Sequence, residues 1–513
     1  MPAPPPVLRA CAALLCGVLL SVAACSPARA APAGPAAGAA SIDAYLRERM
    51  AATGTPGLAY ALVGPDGPEH TAAWGRDGDG APITEDTPFL WGSVAKPVTA
   101  TLVMSLAESG LLSPDDRVRE HLPGFTLAGG AGGGITLRHL LAQTSGIPAG
   151  TGATDRFDSA GDPYGRAVPA LAGVEPLAAP GTRHVYASEN YLLLGAVVEA
   201  VTGRPFAEVQ RRRVLEPLGM TGAITTAREA RAVAPGHRYV FGRPVAFDAP
   251  YDAAGASYGY LGGSVVDLAR FAAANLGAGR KGDSDVLSAA SFDRMHTGQA
   301  RISATHRYGL GWRADERNRD LGVSTVWHGG GVSGYQAAVV LLPERARAVV
   351  VVQNAYGGLQ DAELIETGLG AARMAAGGAA PDASVDGWTY PALLAVLCAV
   401  LAAALTLVGA SVRRLRRAGG PARRRSAVAA AAWALGGVVA AWSVAVPLPR
   451  SAMGVADLRR VALWQPDAAG LLAAVAAAAL MVALLRAAAA ARILRAVRAA
   501  RTRQAAASSR PRL

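Results

Sequence analysis

Three uncharged apolar runs, 391–412, 426–449 and 468–485, constrain this chain more than any other feature. Each is close to the roughly 20 residues that a helix needs to cross about 30 Å of hydrocarbon. None has the polar face that a core helix of a soluble protein turns to water. Three transmembrane helices are therefore expected within a membrane region 388–513. Their flanks set an orientation. Arg413, Arg414, Arg416 and Arg417, then Arg423, Arg424 and Arg425, follow the first run. Arg486, Arg492, Arg495, Arg498, Arg501 and Arg503 follow the third, and only Arg450, Arg459 and Arg460 lie between the second and third. The positive-inside rule puts both dense clusters in the cytoplasm and the N-terminal part outside. The expectation is a multi-pass cell-membrane protein with an extracytoplasmic domain and a cytoplasmic C-terminus.

The same arginines remove a nucleic-acid reading. The formal charge is +12, but from Arg413 onward 18 Arg face only Asp457 and Asp467. That tail carries +16, which leaves −4 for the first 412 residues. A basic excess confined to a membrane tail serves topology and attraction to anionic lipid. Membrane lipid is thus an expected partner, nucleic acid is not, and oligomeric state is not readable. Lysine is nearly absent, so Lys96 and Lys281 stand out.

Residues 1–30 read as a secretory signal, with Arg9 ahead of an apolar stretch at 11–24. Val22-Ala23-Ala24-Cys25 resembles a lipobox, which would leave a lipid on Cys25. Ala28-Arg29-Ala30 is a small-x-small site that would release a plain terminus, and retention as a short span is a third reading. The lipobox is favoured. Between Cys25 and Cys398 there is no cysteine, hence neither a disulfide nor a thiolate metal site. Residues 31–40 and 371–387 read as linkers.

Residues 41–370 remain as one exported domain of mixed α and β. A helix is expected from 41, two strands at 57–63 and 71–75 around Gly64-Pro65-Asp66-Gly67, and helices over 98–112 and 191–202. Strands are expected at 323–328, 337–342 and 348–352, the last two joined around Pro343-Glu344-Arg345. Strands at both ends with helices between predict one antiparallel sheet built from both termini, with helical insertions.

Three short motifs carry chemistry. Ser93-Val94-Ala95-Lys96 precedes Pro97, whose ring disfavours a regular helix behind it, so the helix proper is expected to begin at Pro97 after a tight turn. Ser93 and Lys96 then face one side at a helix N-terminus, where partial positive charge favours an oxyanion and disfavours an ammonium. A desolvated, neutral lysine can take the serine proton. Tyr186-Ala187-Ser188 supplies a phenol that could serve as acid or base, or a packed aromatic. His328-Gly329-Gly330-Gly331 is expected to close a strand, its glycines letting the backbone approach a ligand. Gly255-Ala256-Ser257-Tyr258-Gly259 fits G-x-S-x-G but follows Ala249-Pro250-Tyr251-Asp252-Ala253-Ala254, which is no strand, so it is set aside as a nucleophile elbow. No metal or nucleotide motif is present, and no cofactor is expected.

In that order the three motifs resemble those of the β-lactamase-related serine hydrolases, the group of class C β-lactamases, D,D-peptidases and related esterases. Further stretches agree: Phe89-Leu90-Trp91-Gly92, 135–146, Tyr191-Leu192-Leu193-Leu194-Gly195, Pro217-Leu218-Gly219-Met220 and Tyr308-Gly309-Leu310-Gly311-Trp312. The resemblance spans roughly 41–370. It implies an α/β three-layer sandwich with a central antiparallel sheet and an all-helical insert. It further implies Ser93 as the acylated nucleophile, and Lys96 and Tyr186 sharing proton transfer. The N–H groups of Ser93 and Gly331 would form the oxyanion hole, and Ser188, His328 and Gly330 would line the substrate site. Two positions depart from the family pattern. The second motif ends in Ser188 where Asn is usual, and the third begins with His328 where Lys is frequent; neutral His is a poor anchor for a substrate carboxylate. A serine hydrolase of small esters or amides is expected, with cell-wall peptide among the candidate substrates. A penicillin-binding D,D-peptidase or β-lactamase, and a non-catalytic wall-peptide sensor, are the alternatives.

Overall fold

The computed structural model describes residues 38–157, 161–277, 286–418, 424–449, 455 and 457–508. Residues 1–30, read above as a secretory signal and including Cys25, and Lys281 lie outside the described residues. Along the chain the strands are β1 Gly57–Gly64, β2 Gly67–Gly75, β3 Phe89–Leu90, β4 Gly236–Val240, β5 Arg243–Phe247, β6 Gly262–Gly263 and β7 Ala300–Arg301. They continue with β8 His306–Tyr308, β9 Arg313–Asp315, β10 Thr325–Val332, β11 Tyr335–Leu342, β12 Arg347–Gln353 and β13 Ala355–Tyr356.

Runs without polar alternation make strands that are buried on both faces. β1 and β11 are buried along their whole length and β12 along nearly all of it. Successive side chains point to opposite faces, and here the two faces feed two separate cores. Ala59, Ala61, Val63, Val350 and Val352 join the core that holds helix Val265–Gly277. Leu58, Tyr60, Leu62, Val349 and Val351 join the other, with residues of helices Ala39–Thr53 and Asp361–Ala375. The result is the expected three-layer sandwich. Its sheet runs β2-β1-β12-β11-β10-β9-β8-β7, every pairing antiparallel, so strands from both ends of the domain share it. The helices of the insert, Ser188–Thr202 foremost, lie between β3 and the C-terminal strands in sequence.

Two local expectations are corrected. The helix after Ser93 begins at Ala95, not Pro97, behind a 3₁₀ turn Gly92–Val94. Pro97 fits because the N–H it lacks belongs to the first turn, where no intrahelical acceptor exists. The His328 strand does not end at its histidine: β10 runs on to Val332, and the glycines are strand residues paired with β11, Gly330 against Ala337.

Three helices, Thr389–Arg417, Arg424–Ala445 and Pro466–Ser508, are long and apolar enough to cross a membrane. The third apolar run is the shortest, and its helix continues past it into the Arg-rich tail for 43 residues in all, consistent with the high helix propensity of Ala. A Cβ at Gly437 would stand 2.6 Å from the Ala479 carbonyl oxygen, so the second and third helices meet backbone to backbone. Arg486 is buried, not a free flank: its Nε donates to Ser411 Oγ at 2.9 Å and its guanidinium lies over Trp433. The approach to the helix Thr389–Arg417 is docked, since buried Arg49 donates to the carbonyls of Ala383 and Ser384 at 3.0 and 2.9 Å.

Candidate active site

The site starts from a forced turn. Gly92 has φ +55, and a Cβ there would stand 2.6 Å from both Gly330 C and Gly331 N. A Cβ at Gly330 would stand 2.1 Å from the Trp91 carbonyl and 2.6 Å from Ser93 N. Gly92 and Gly330 therefore let the Ser93 turn lie directly against β10, which brings Ser93 and Gly331 into one place. The other side of the turn is fixed by Trp91, which donates its backbone N–H to Leu261 O and its indole N–H to Gly263 O at 2.8 and 3.1 Å.

Lys96 is fully buried. Its Nζ lies 2.9 Å from Ser93 Oγ, 3.2 Å from Ser188 Oγ and 2.7 Å from the Tyr258 carbonyl oxygen. An ammonium donates to all three. A neutral amine donates to Ser188 and Tyr258 and accepts from Ser93, so both protonation states are satisfied without moving an atom. The rings of Tyr186 and Tyr191 stand 5.1 and 5.9 Å from Nζ. Ser188, the first residue of its helix, thus makes the lysine contact despite the missing Asn.

Tyr186 is held from behind by residues the motifs did not flag. Buried Gln143 accepts from Ala187 N at 3.0 Å through its Oε1, and its carbonyl accepts from Val185 N at 2.8 Å. Asn190 and Ser145 complete this network. Gln143 sits at φ +59, a left-handed conformation that its own hydrogen bonds must stabilise.

His328 is buried and pinned at both nitrogens, Nε2 3.0 Å from Tyr308 OH and Nδ1 2.7 Å from Gly329 O. Burial, then the charges of Arg313 and Lys96, hold its pKa well below the usual imidazole value. It is a neutral part of the wall, stacked at a tilt beside Tyr186. A cation is nevertheless present. Arg313 of β9, paired with Trp327, places its guanidinium 5.4 Å from the Tyr186 ring and 5.9 Å from Tyr308. Among the described residues it has no ion pair. Nothing in the sequence pattern marked it, because its place depends on β9 stopping at Asp315 against Thr325.

Ser257 is fully buried, donates to Ala254 O at 3.1 Å and lies in a 3₁₀ turn, Gly255–Ser257. It is no nucleophile elbow; its neighbour Tyr258 serves the site through the main chain. Around it sits an acidic pair, Asp252 buried and Asp155 half-buried. Tyr258 OH donates to Asp252 Oδ2 at 2.8 Å, and Tyr260 OH to Asp155 Oδ1 at 2.9 Å. Burial raises Asp155 to about 6 and raises Glu189, whose Oε1 accepts from Thr151. Among the described residues no group of His, Cys, Asp and Glu is placed to hold a metal ion.

A family model described as Beta-lactamase matches residues 42–372. Penicillin-binding protein 4 of Amycolatopsis lactamdurans is 34% identical over 332 residues, covering 61% of this chain and 85% of its own. The octameric penicillin-binding protein homologue from Pyrococcus abyssi superposes with a TM-score of 0.54 at 27% identity, over 62% of this chain and 74% of that one. A D-stereospecific amidohydrolase from Streptomyces sp. does so with a TM-score of 0.50 at 25% identity, over 61% and 94%.

Proposed function

Since this chain belongs to the beta-lactamase family of serine hydrolases, we propose that it works through an acyl-enzyme on Ser93, as a membrane-tethered hydrolase with its catalytic domain outside the cell. The observation that carries the reading is buried Lys96, 2.9 Å from Ser93 Oγ and held by two further oxygens. In acylation Ser93 Oγ attacks the substrate carbonyl while its proton passes to Lys96 Nζ. The oxyanion forms against the N–H groups of Ser93 and Gly331, and the leaving amine or alcohol departs with a proton delivered by way of Lys96 and Tyr186. Water then attacks the ester, its proton passes through the same pair to the departing Ser93 Oγ, and the acid is released. General acid–base transfer of this kind contributes about 10²–10⁴-fold.

The substrate we propose is a small ester or amide with a D-configured centre, including peptides derived from the cell wall. The names of the penicillin-binding relatives and of the D-stereospecific amidohydrolase support this class. Arg313 supports a carboxylate on the substrate, the role for which neutral His328 is unsuited. For orientation, the Arg-rich ends of the membrane helices favour the cytoplasm. The lipid on Cys25 belongs to the same proposal.

The test is intact-mass analysis with peptide mapping of the full chain in detergent after treatment with a fluorophosphonate. One adduct on Ser93, absent from Ser93→Ala and retained in Ser257→Ala, is expected. A folded wild type that takes no adduct would instead point to a binding module.

A further inference from the structure

One membrane helix suffices for a tether, yet three helices among the described residues are long and apolar enough to cross a membrane. The segment between the second and third is not a plain connection. The helix Leu458–Trp464, capped by Asp457, and the residues to Asp467 touch the exported domain at several points. Arg460 donates to the carbonyls of Thr154 and Asp155 at 3.4 and 3.2 Å while paired with Asp457 at 2.9 Å. That stretch, the lip, is linked to Lys96 through Tyr258. Its Asp155 N–H donates at 2.9 Å to the hydroxyl of Tyr258, the residue whose carbonyl holds the lysine. Its Thr151 bonds Glu189, next to Ser188. Asp155 and Phe157 both have positive φ, +52 and +53. A lip in such a conformation persists only when outside contacts enforce it.

On the far side, Trp464 meets Tyr356 edge to face at 5.5 Å. Tyr356 in turn fills the space beside Gly331: a Cβ on that glycine would stand 2.1 Å from the Tyr356 ring. Ser333, two residues beyond Gly331, donates to Leu463 O at 2.6 Å. Arg238 donates to Ala462 O at 3.2 Å, and Phe241 N to Asp467 Oδ2 at 2.7 Å.

We propose that the outer loop Asp457–Asp467 of the membrane hairpin is a positioning wall of the catalytic cleft, with Arg460 setting the Thr154–Asp155 lip and Trp464 backing the Gly331 strand through Tyr356. The second and third membrane helices then exist to deliver that wall, and catalysis is coupled to the membrane region. The inference rests on Ser93 being the nucleophile. Arg460 and Trp464 touch no reacting atom; they act through the lip and through Tyr356.

The test uses the full chain in detergent and in anionic lipid nanodiscs, with Arg460→Ala, Arg460→Lys, Trp464→Ala and Trp464→Phe. Arg459→Ala, at an exposed neighbour on the same helix, is the control. Readouts are the fluorophosphonate labelling rate, kcat and KM on a short acyl ester, and amide hydrogen exchange over 151–157 and 325–336. Displacement of positioning groups costs up to about 100-fold. Arg460→Ala is expected to raise KM about tenfold and to speed exchange in 151–157. Trp464→Ala is expected to lower kcat about tenfold and to speed exchange near Gly331. Arg460→Lys and Trp464→Phe recover most of the activity, which a general loss of folding would not allow. Exchange and turnover within twofold of wild type in both alanine variants would overturn the proposal. Loss without recovery in the conservative variants would overturn it as well. Exchange is measured whether or not the enzyme turns over. Unlabelled wild type with faster exchange in Arg460→Ala would therefore overturn the Ser93 reading and, with it, a catalytic role for the wall, leaving only docking.

Discussion

Lys96 donates a 2.7 Å hydrogen bond to the carbonyl oxygen of Tyr258, so the segment that imitates a nucleophile elbow holds the proposed base by its main chain. Backbone function of this kind is indifferent to the serine beside it. Ser257→Ala is expected to keep kcat/KM within about twofold of wild type and to cost about 1 kcal/mol of stability for the lost buried bond. Lys96→Met is expected to lose about 10³-fold or more, the scale of removed acid–base catalysis. Ser188→Ala leaves one Lys96 hydrogen without an acceptor and falls between them, near tenfold. Steady-state kinetics on one acyl ester rank the three variants. Ser257→Ala as damaging as Lys96→Met would restore the elbow.

The contact between the Ser93 turn and β10 makes Gly330 irreplaceable. A Cβ there meets the Trp91 carbonyl at 2.1 Å and the amide nitrogens of Ser93 and Val94 at 2.6 and 2.7 Å, all backbone atoms. Backbone cannot rotate aside as a side chain does, so the strain lands at the site, on the scale of about 3 kcal/mol for overpacking. Gly330→Ala is expected to lower Tm by several degrees and abolish labelling of Ser93. Gly134→Ala, where a Cβ has open space, leaves both unchanged. Thermal unfolding followed by labelling compares the pair; a fully labelled Gly330→Ala protein would show that β10 yields.

The sheet was largely legible because its strands are buried on both faces, and such strands write themselves as unbroken apolar runs. Ala337 to Leu342 and Ala348 to Val352 leave no other reading. The Ser93–Lys96 pair was legible because a three-residue spacing is local. What lay hidden was set by tertiary approach. Tyr258 acts through a carbonyl that every residue possesses. Gln143 and Arg313 gain meaning only from strands and helices distant in sequence. The extent of β10 past His328 was masked because glycine runs look like loop, yet here they are strand residues that make room for the Ser93 turn. The segment 457–467 was invisible for the same reason: three arginines between apolar runs read as topology, and only packing shows that Arg460 meets the Thr154–Asp155 stretch.

Arg313 offers a guanidinium, free of any ion pair among the described residues, 5.4 Å from the Tyr186 ring. A guanidinium is always charged and binds carboxylate through a fixed fork. Arg313→Gln is expected to raise KM about tenfold for an acyl-peptide bearing a free carboxylate, with kcat within about twofold. A neutral ester of the same acyl group should show no change. Equal effects on both substrates would mean that Arg313 acts by packing on Tyr186, Tyr308 and Trp327.

Asp155 links the lip to pH. Burial raises its carboxyl from 3.8 to about 6. The folded protein therefore binds this proton more tightly than the unfolded chain does. The group favours folding at low pH, and that contribution is lost as pH rises through about 6; at neutral pH the buried carboxylate is a net cost. Asp155→Asn removes the charge, still accepts from Tyr260, and suits the left-handed backbone at φ +52. Its Tm is expected to exceed that of wild type at pH 7.5, by an amount on the order of 2 kcal/mol in stability, with the gap closing toward pH 4. Thermal unfolding of the full chain in detergent at pH 4, 5.5 and 7.5 gives the comparison. A gap independent of pH would mean that Asp155 does not titrate on folding. A variant less stable at pH 7.5 would mean that the Tyr260 bond and the charge of Arg460 outweigh burial, and that the lip is held by its charge.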